Sequence, residues 1–244
     1  MSPDDWMREQ INALNSRPGS LKYIDCPKCM NRGEVAVNEN GHVVMKECSC
    51  MVKRRAMRRM YESGLSDVIT RYTFKNFQTV EQWQKTALEK CQAFSGDPSG
   101  WLVVTGTPGT GKTHLCTAVC GELIKRGLDV RYFLWRTDAP VLKAYAGTVE
   151  YEEKVRPFKT AKVLYIDDFW KSKTVTDADV NLAFDILNAR YNNTSLITII
   201  SSEKTIEEIL DVDQAIGSRI YERKAVYVKT NGKANWRLRD NESN

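Results

Sequence analysis

The chain has 244 residues, 36 Lys and Arg against 31 Asp and Glu, a formal charge of +5, and 42% apolar residues. That length fits one or two soluble globular domains and is ample to bury a core. No apolar run approaches the ~18 residues of a membrane span. Met1–Gln10 is acidic and polar, unlike a signal peptide, so a cytoplasmic protein with no membrane partner is expected.

A short helix is predicted around Trp6–Leu14, broken at Ser16-Arg17-Pro18-Gly19-Ser20. This arm is expected to be loosely held. Cys26-Pro27-Lys28-Cys29 and Cys48-Ser49-Cys50 follow, a C-x2-C and a C-x-C separated by 18 residues. Two such pairs brought together offer four thiolates to one metal, the donor set of a structural zinc site. Between them Gly33–Val37 and His42–Met45 flank Asn38-Glu39-Asn40-Gly41, a hairpin pattern. So small a segment has little core, and zinc binding worth ~10–16 kcal/mol would fold it. His42 is placed on the hairpin surface. Cys91, Cys116 and Cys120 lie in predicted helices and read as small apolar packing residues. Without an export signal, the seven cysteines are not expected to form disulfides.

Met51–Tyr61 reads as a basic helix: Met51–Met60 carries five Lys/Arg and no acid. Arg54/Arg58 and Arg55/Arg59 set like charges at i, i+4, which costs a few tenths of a kcal/mol unless an anion lies across them. Two readings stand, a solvated face and a surface for DNA or an acidic partner. A second basic stretch runs from Arg219 to Arg239, with seven Lys/Arg against Glu222. The predicted organisation is therefore an arm, zinc module and basic helix over 1–62, a linker over 63–78 that separates the module from the rest, and a second domain over 79–244.

The second domain opens with a helix over Thr79–Phe94 and the turn cluster Gly96–Gly100. Trp101–Thr105 reads as a buried strand. Gly106-Thr107-Pro108-Gly109-Thr110-Gly111-Lys112-Thr113 then spells G-x-x-x-x-G-K-[ST], the P-loop, and Thr113–Arg126 continues as a helix stopped by Gly127. The chemistry asks for these residue types. Glycines let the backbone N–H groups curl inward onto phosphate oxygens, and the helix N-terminus adds partial positive charge. Lys112 reaches the β- and γ-phosphates of ATP, and Thr113 offers a hydroxyl to Mg²⁺. His114 follows on the same helix turn and is counted with the nucleotide-binding residues.

Strands and helices alternate from there. Strands are predicted at Asp129–Trp135, Lys162–Ile166, Leu196–Ile200, Val226–Val228 and Trp236–Arg239. Helices are predicted at Thr137–Tyr145, Glu150–Arg156, Asp177–Tyr191, from Thr205, and at Gln214–Arg223. Alternation of this kind means an α/β fold with a parallel sheet flanked by helices. Val163-Leu164-Tyr165-Ile166 ends in Asp167-Asp168, which sets two carboxylates at the carboxyl edge of that sheet beside the P-loop. Asp167 would hold Mg²⁺ through its water shell and Asp168 would orient or deprotonate the attacking water.

The P-loop, the Asp-Asp strand, Ser201-Ser202 at a strand end and Gly217-Ser218-Arg219 together resemble an AAA+ ATPase. The resemblance implies a polar-tipped sensor strand between the P-loop strand and the Asp-Asp strand. Ser201 or Ser202 takes that role, and Ser202 is counted in the catalytic set. The family often has Asn next, where this chain has Glu203. It also implies that Arg219 is an arginine finger acting on a neighbouring subunit, against the plainer reading of a surface arginine paired with Glu222.

More narrowly, Tyr72-Thr73-Phe74-Lys75-Asn76-Phe77, the P-loop, Tyr165–Asp168, Ile216–Ile220 and Asn235-Trp236-Arg237 resemble the DnaC/DnaI-type helicase loaders, a group that includes the IstB transposition helpers. This implies an AAA+ ATPase domain over 79–244, with Phe74 or Phe77 beside the adenine. It implies ATP, Mg²⁺ and Zn²⁺ as ligands, and a replicative ring helicase and single-stranded DNA as partners. It implies a homo-oligomer when assembled. No helical lid domain is expected, and Arg237 is the only late candidate for its contact. An IstB-like transposition helper is the alternative. A P-loop kinase of a small molecule and a zinc adaptor with a vestigial P-loop are further ones.

Overall fold

The computed structural model of the chain describes residues 3–61 and 66–230. The stop expected at Ser63–Leu65, the Asn231-Gly232 turn, the strand at Trp236–Arg239 and Arg237 lie outside those residues.

Helix α1 (Pro3–Asn15) is followed by β1 (Glu34–Glu39) and β2 (His42–Glu47), an antiparallel pair with Glu39 opposite His42. The two residues between them, Asn40 and Gly41, have φ of 52° and 82°, the twist a two-residue hairpin turn requires. Asn15 docks the arm instead of leaving it loose. Its amide donates to the Ala36 carbonyl at 3.0 Å and accepts from the Ala36 N–H at 2.8 Å, imitating a strand neighbour.

Helix α2 (Cys50–Met60) begins on the last of the clustered cysteines. Its Arg54 is buried, and it donates to the carbonyls of Leu21 (2.8 Å), Lys22 and Ile24 (2.6 Å) and to Asn31 Oδ1 (2.6 Å). Arg55 is paired with Glu47 at 2.8 Å. The reading of Arg54 as part of a DNA-facing surface is thereby corrected, while Arg55 stays on the surface. The chain before the cysteines has carbonyls with no ladder to enter, and a forked guanidinium satisfies several at once.

A second departure concerns how the two halves meet. Ala56 of α2 is fully buried in the same apolar cluster as Leu115, Val119 and Val130 of the larger domain, and Met57 packs beside it. After α3 (Ser66–Arg71) comes a 3-10 turn at Phe74–Asn76, and Val68, Ile69, Phe74 and Phe77 also pack on that cluster. The stretch expected to separate the halves is docked where it is described, because its apolar residues find a ready surface.

The larger domain continues through α4 (Gln82–Gly96), β3 (Trp101–Gly106), α5 (Lys112–Lys125), β4 (Val130–Leu134), α6 (Trp135–Ala144), α7 (Tyr151–Thr160), β5 (Val163–Asp167), α8 (Asp177–Tyr191), β6 (Ile197–Ser202), α9 (Ile206–Val212), α10 (Gln214–Arg223) and β7 (Lys224–Thr230). The five strands β3 to β7 pair in parallel in the order β4-β5-β6-β3-β7. Strand β3 sits inside the sheet and alternates cleanly. Leu102 and Val104 face the α5 side, while Trp101 and Val103 face the side of α8 and α10. Each such side chain, fully buried, contributes roughly 1.5–3 kcal/mol. A parallel sheet buried on both faces leaves its carboxyl edge as the place where loops gather.

Arg190 is fully buried without a carboxylate partner. It donates to Thr198 Oγ1 (2.9 Å) and to the carbonyls of Ala161 (2.8 Å) and Ile197 (2.6 Å), tying α8 to the amino-terminal edge of β5 and β6. Burial pulls its guanidinium down to about 9.

Candidate functional site

Strand β3 delivers the P-loop at the carboxyl edge of the sheet, and Gly111 starts α5 with φ of 85°. A Cβ there would lie 2.8 Å from the Phe77 ring, so both the backbone and the neighbour demand glycine. Thr110 Oγ1 lies 2.6 Å from Thr230 Oγ1 of β7, which donates to the Thr105 carbonyl at 2.9 Å. The loop is thus clipped to the strand beside it. Lys112 folds back into the loop and donates to the Gly106 and Thr107 carbonyls, both at 2.8 Å. Burial lowers its pKa, against the opposing pull of Glu203 and Asp168.

Thr113 donates to Asp167 Oδ1 at 3.2 Å. Asp167 is buried and receives three further donors: the Ser201 hydroxyl, the Asp168 N–H at 3.1 Å and the Tyr132 hydroxyl, which reaches Oδ2 at 3.0 Å. Burial and then the Asp167 charge push the Tyr132 phenol well up, so it stays a donor. A threonine hydroxyl beside a fixed carboxylate is an oxygen donor set suited to hydrated Mg²⁺. Strand β6 lies between β3 and β5, as the AAA+ resemblance implies, and Ser201 is the residue that meets Asp167. The Ser202 hydroxyl points elsewhere, donating to the Phe169 carbonyl at 2.8 Å.

Asp168 begins the loop after β5 with φ of 53°. Its carboxylate is bound by Lys171 at 3.2 and 3.3 Å, and Lys171 also reaches Glu203 at 2.9 Å. All three line one cleft of about 420 Å³ together with Pro108–His114 and, at the far end, Tyr72, Asn76, Phe77 and Gln84. His114 organises that far end. Its ring stacks on Tyr72 with centroids 4.8 Å apart, meets the edge of Phe77 at 5.2 Å, and its Nε2 donates to the Thr73 carbonyl at 2.9 Å. Phe77 therefore lines the cleft, whereas Phe74 packs into the core.

Arg219 on α10 is not among the residues of its own cleft. It donates to Asn188 Oδ1 (3.1 Å) and the Ala215 carbonyl (2.8 Å), and its guanidinium lies over the rings of Phe184 and Tyr191 at 4.8 and 5.4 Å. Glu222 pairs with the Tyr191 hydroxyl instead.

The second candidate centre is the cysteine cluster. The Sγ atoms of Cys26, Cys29, Cys48 and Cys50 all lie within 4.8 Å of one another, with Cys26–Cys48 at 3.9 Å and Cys29–Cys50 at 3.6 Å. Tetrahedral Zn–S bonds of ~2.3 Å place sulfurs ~3.8 Å apart, so this cluster could hold a zinc ion. Gly33 N–H points at Cys29 Sγ at 3.4 Å, the outer contact that steadies a thiolate ligand. Burial opposes charge on Cys29, yet that N–H and the neighbouring sulfurs bring it down to about 6.

Lys171, Tyr132 and Thr230 belong to the site without having been singled out in the sequence, and Tyr72 was noted only as part of the motif before the core. A lysine three residues past an acid pair was the available signal for Lys171. Tyr132 and Thr230 look like ordinary strand residues until the strand order is known.

Comparison with known proteins agrees with this geometry. The family model described as IstB-like ATP binding protein matches residues 34–242. The phage-like element PBSX protein XkdC of Bacillus subtilis (strain 168) is 34% identical over 241 residues, covering 92% of this chain and 90% of that protein. The replicative helicase loader DnaC of Escherichia coli (strain K12) is 30% identical over 128 residues, 48% of this chain and 51% of the loader. A crystal structure of the DnaC helicase loader shares the fold, with a TM-score of 0.58 at 21% identity over 67% of this chain and 99% of that one. Among the described residues no helix is long and apolar enough to cross a membrane. With its P-loop, its Asp167–Thr113 contact and its five-stranded parallel sheet, this chain belongs to the IstB-like ATP-binding protein family.

Proposed function

We propose that the chain is an ATPase that delivers a replicative ring helicase to single-stranded DNA. The observation that carries the ATPase part is Thr113 and Asp167 meeting at 3.2 Å across the P-loop, a pair poised to hold a hydrated metal beside the phosphates. The P-loop N–H groups and Lys112 bind the phosphate chain, and Phe77 and Tyr72 flank the base. Mg²⁺ supplies charge neutralisation between the β- and γ-phosphates when bound. Asp168 takes a proton from a water that attacks the γ-phosphorus, the bond to the β-phosphate oxygen breaks, and ADP and phosphate leave. Arg219 of a second copy offsets the charge of that transition state, an effect worth ~10³–10⁵ in rate. Such an arrangement makes turnover a property of an assembled homo-oligomer.

Two things support the loader role: the likeness to the E. coli loader, and a cysteine module whose small size suits protein docking. The matched family description favours a second reading, an IstB-like helper that coats DNA and recruits a transposase. A pull-down from the native host separates them, since a ring helicase and a transposase would be different captures. ATP turnover that rises with DNA and needs no acceptor molecule is expected under either. Turnover only with a small-molecule acceptor would make the protein a kinase and end both readings.

A further inference from the structure

Lys171 lines the same cleft as the P-loop, and its position is built rather than incidental. The loop after β5 is anchored by Phe169 and Trp170, both fully buried and stacked 4.6 Å apart. Phe169 N–H donates to the Ser201 carbonyl at 2.8 Å, and Lys171 N–H closes the turn on the Asp168 carbonyl at 3.0 Å. That anchoring leaves Lys171 on the cleft side, facing the P-loop. Its ammonium is shared between Asp168 and Glu203, two carboxylates that line the same cleft. All three side chains are between 22% and 29% exposed, so water screens them only in part.

One ammonium between two carboxylates leaves this trio one charge negative, offset in the same cleft by Lys112 and the P-loop N–H groups. A γ-phosphate entering there meets two carboxylates whose shared counter-ion can turn toward it. Lysine is the side chain suited to moving, a point charge on four flexible methylenes that accepts any oxygen partner. Phosphate oxygens compete well with carboxylates for an ammonium, because both make charge-assisted hydrogen bonds. While Lys171 holds one lone pair on each oxygen of Asp168, a water must share that carboxylate with the ammonium.

From this arrangement we infer that Lys171 is a second phosphate-contacting cation that is parked on Asp168 and Glu203 until a γ-phosphate draws it away. Its transfer frees Asp168 to meet the water only when a triphosphate is present. ADP ends one phosphate short and leaves the ion-paired trio in place. The inference rests on the cleft being a nucleotide site, and it deepens that reading by naming what distinguishes ATP from ADP.

The test is calorimetric titration of the full chain, with zinc content and circular dichroism matched across variants. The probes are Mg·ADP and a Mg-bound, slowly hydrolysed ATP analogue. Lys171→Ala is expected to lose roughly tenfold or more in affinity for the ATP analogue, the size of one lost charged hydrogen bond, while ADP stays within about twofold. Lys171→Arg should recover most of the loss. Glu203→Gln removes one of the two competing carboxylates and should raise the preference for the ATP analogue over ADP a fewfold. Equal losses for both nucleotides in Lys171→Ala, or none, would overturn the inference while leaving the nucleotide site standing. Wild-type protein that binds neither nucleotide would overturn the site itself.

Discussion

Thr113 and Asp167 are hydrogen-bonded at 3.2 Å although 54 positions separate them in the chain. Parallel strands β3 and β5 each end at the same edge of the sheet, and one strand, β6, stands between them. Sheet order therefore turns two distant motifs into one site.

Lys112 and Asp168 should fail in different ways. Lys112→Ala is expected to lose most ATP affinity with the fold retained, since the lysine now bonds only the loop's own Gly106 and Thr107 carbonyls. Asp168→Asn should bind ATP and lose turnover. Nucleotide titration and phosphate release read the two effects separately. Native turnover by Asp168→Asn would remove Asp168 from the chemistry.

The cysteine cluster should carry one structural zinc per chain. Chelation is expected to unfold residues about 20–50 and to loosen α2 as well, because α2 starts on Cys50 and buries Ala56 in the larger core. Hydrogen exchange would show faster amides in α2 after chelation, with β3 and β6 still protected. Metal-free protein from an anaerobic preparation, folded normally, would rule out the zinc.

His114 gives a pH dependence with a defined sign. Burial lowers its pKa, and the Thr73 carbonyl only partly opposes that. Below the usual imidazole value of ~6.5 the unfolded chain binds more protons than the folded one, so stability falls as pH falls. The His114 contribution should be fully present above about pH 6.5 and decline beneath it. Urea midpoints of wild type and His114→Gln at pH 7.5 and 5.5 test this, with the difference between the two proteins cancelling any shared zinc effect. A gap between them that is the same at both pH values would contradict the assignment.

Arg219 calls for a mixing experiment. Arg219→Ala keeps its P-loop and lacks the finger, whereas Lys112→Ala lacks nucleotide but keeps Arg219. Each alone should be nearly inactive, and their mixture should regain part of the turnover at interfaces where an intact P-loop meets an intact arginine. If the mixture stays inactive while wild type visibly assembles, Arg219 is holding Asn188 and the rings of Phe184 and Tyr191 and nothing more.

Much of this was legible in residue order because the signals are local. The P-loop, the hairpin turn at Asn40-Gly41 and the paired cysteines each declare themselves within a few positions. What escaped depends on partners far away. Arg54 sits in a run of like charges that reads as a wet surface, yet its partners are carbonyls about 30 positions earlier. Arg190 lies on a helix with no acid to meet it, and five oxygens from other segments make its burial tolerable. Of two adjacent serines, only the pleat of β6 decides which one touches Asp167.

Helix α2 belongs to both halves of the protein. Its first residue is a sulfur ligand candidate and its sixth and seventh, Arg55 and Ala56, look toward the hairpin and the larger core respectively. A chimera that exchanged the cysteine module with that of a relative could not be spliced at Cys50. A junction there would keep Arg54 on the recipient's α2 and part it from the Leu21 and Ile24 carbonyls, which leave with the exchanged module. The workable junction lies beyond Met60, and the graft must carry an alanine-sized residue at position 56 to seat on the recipient's α5.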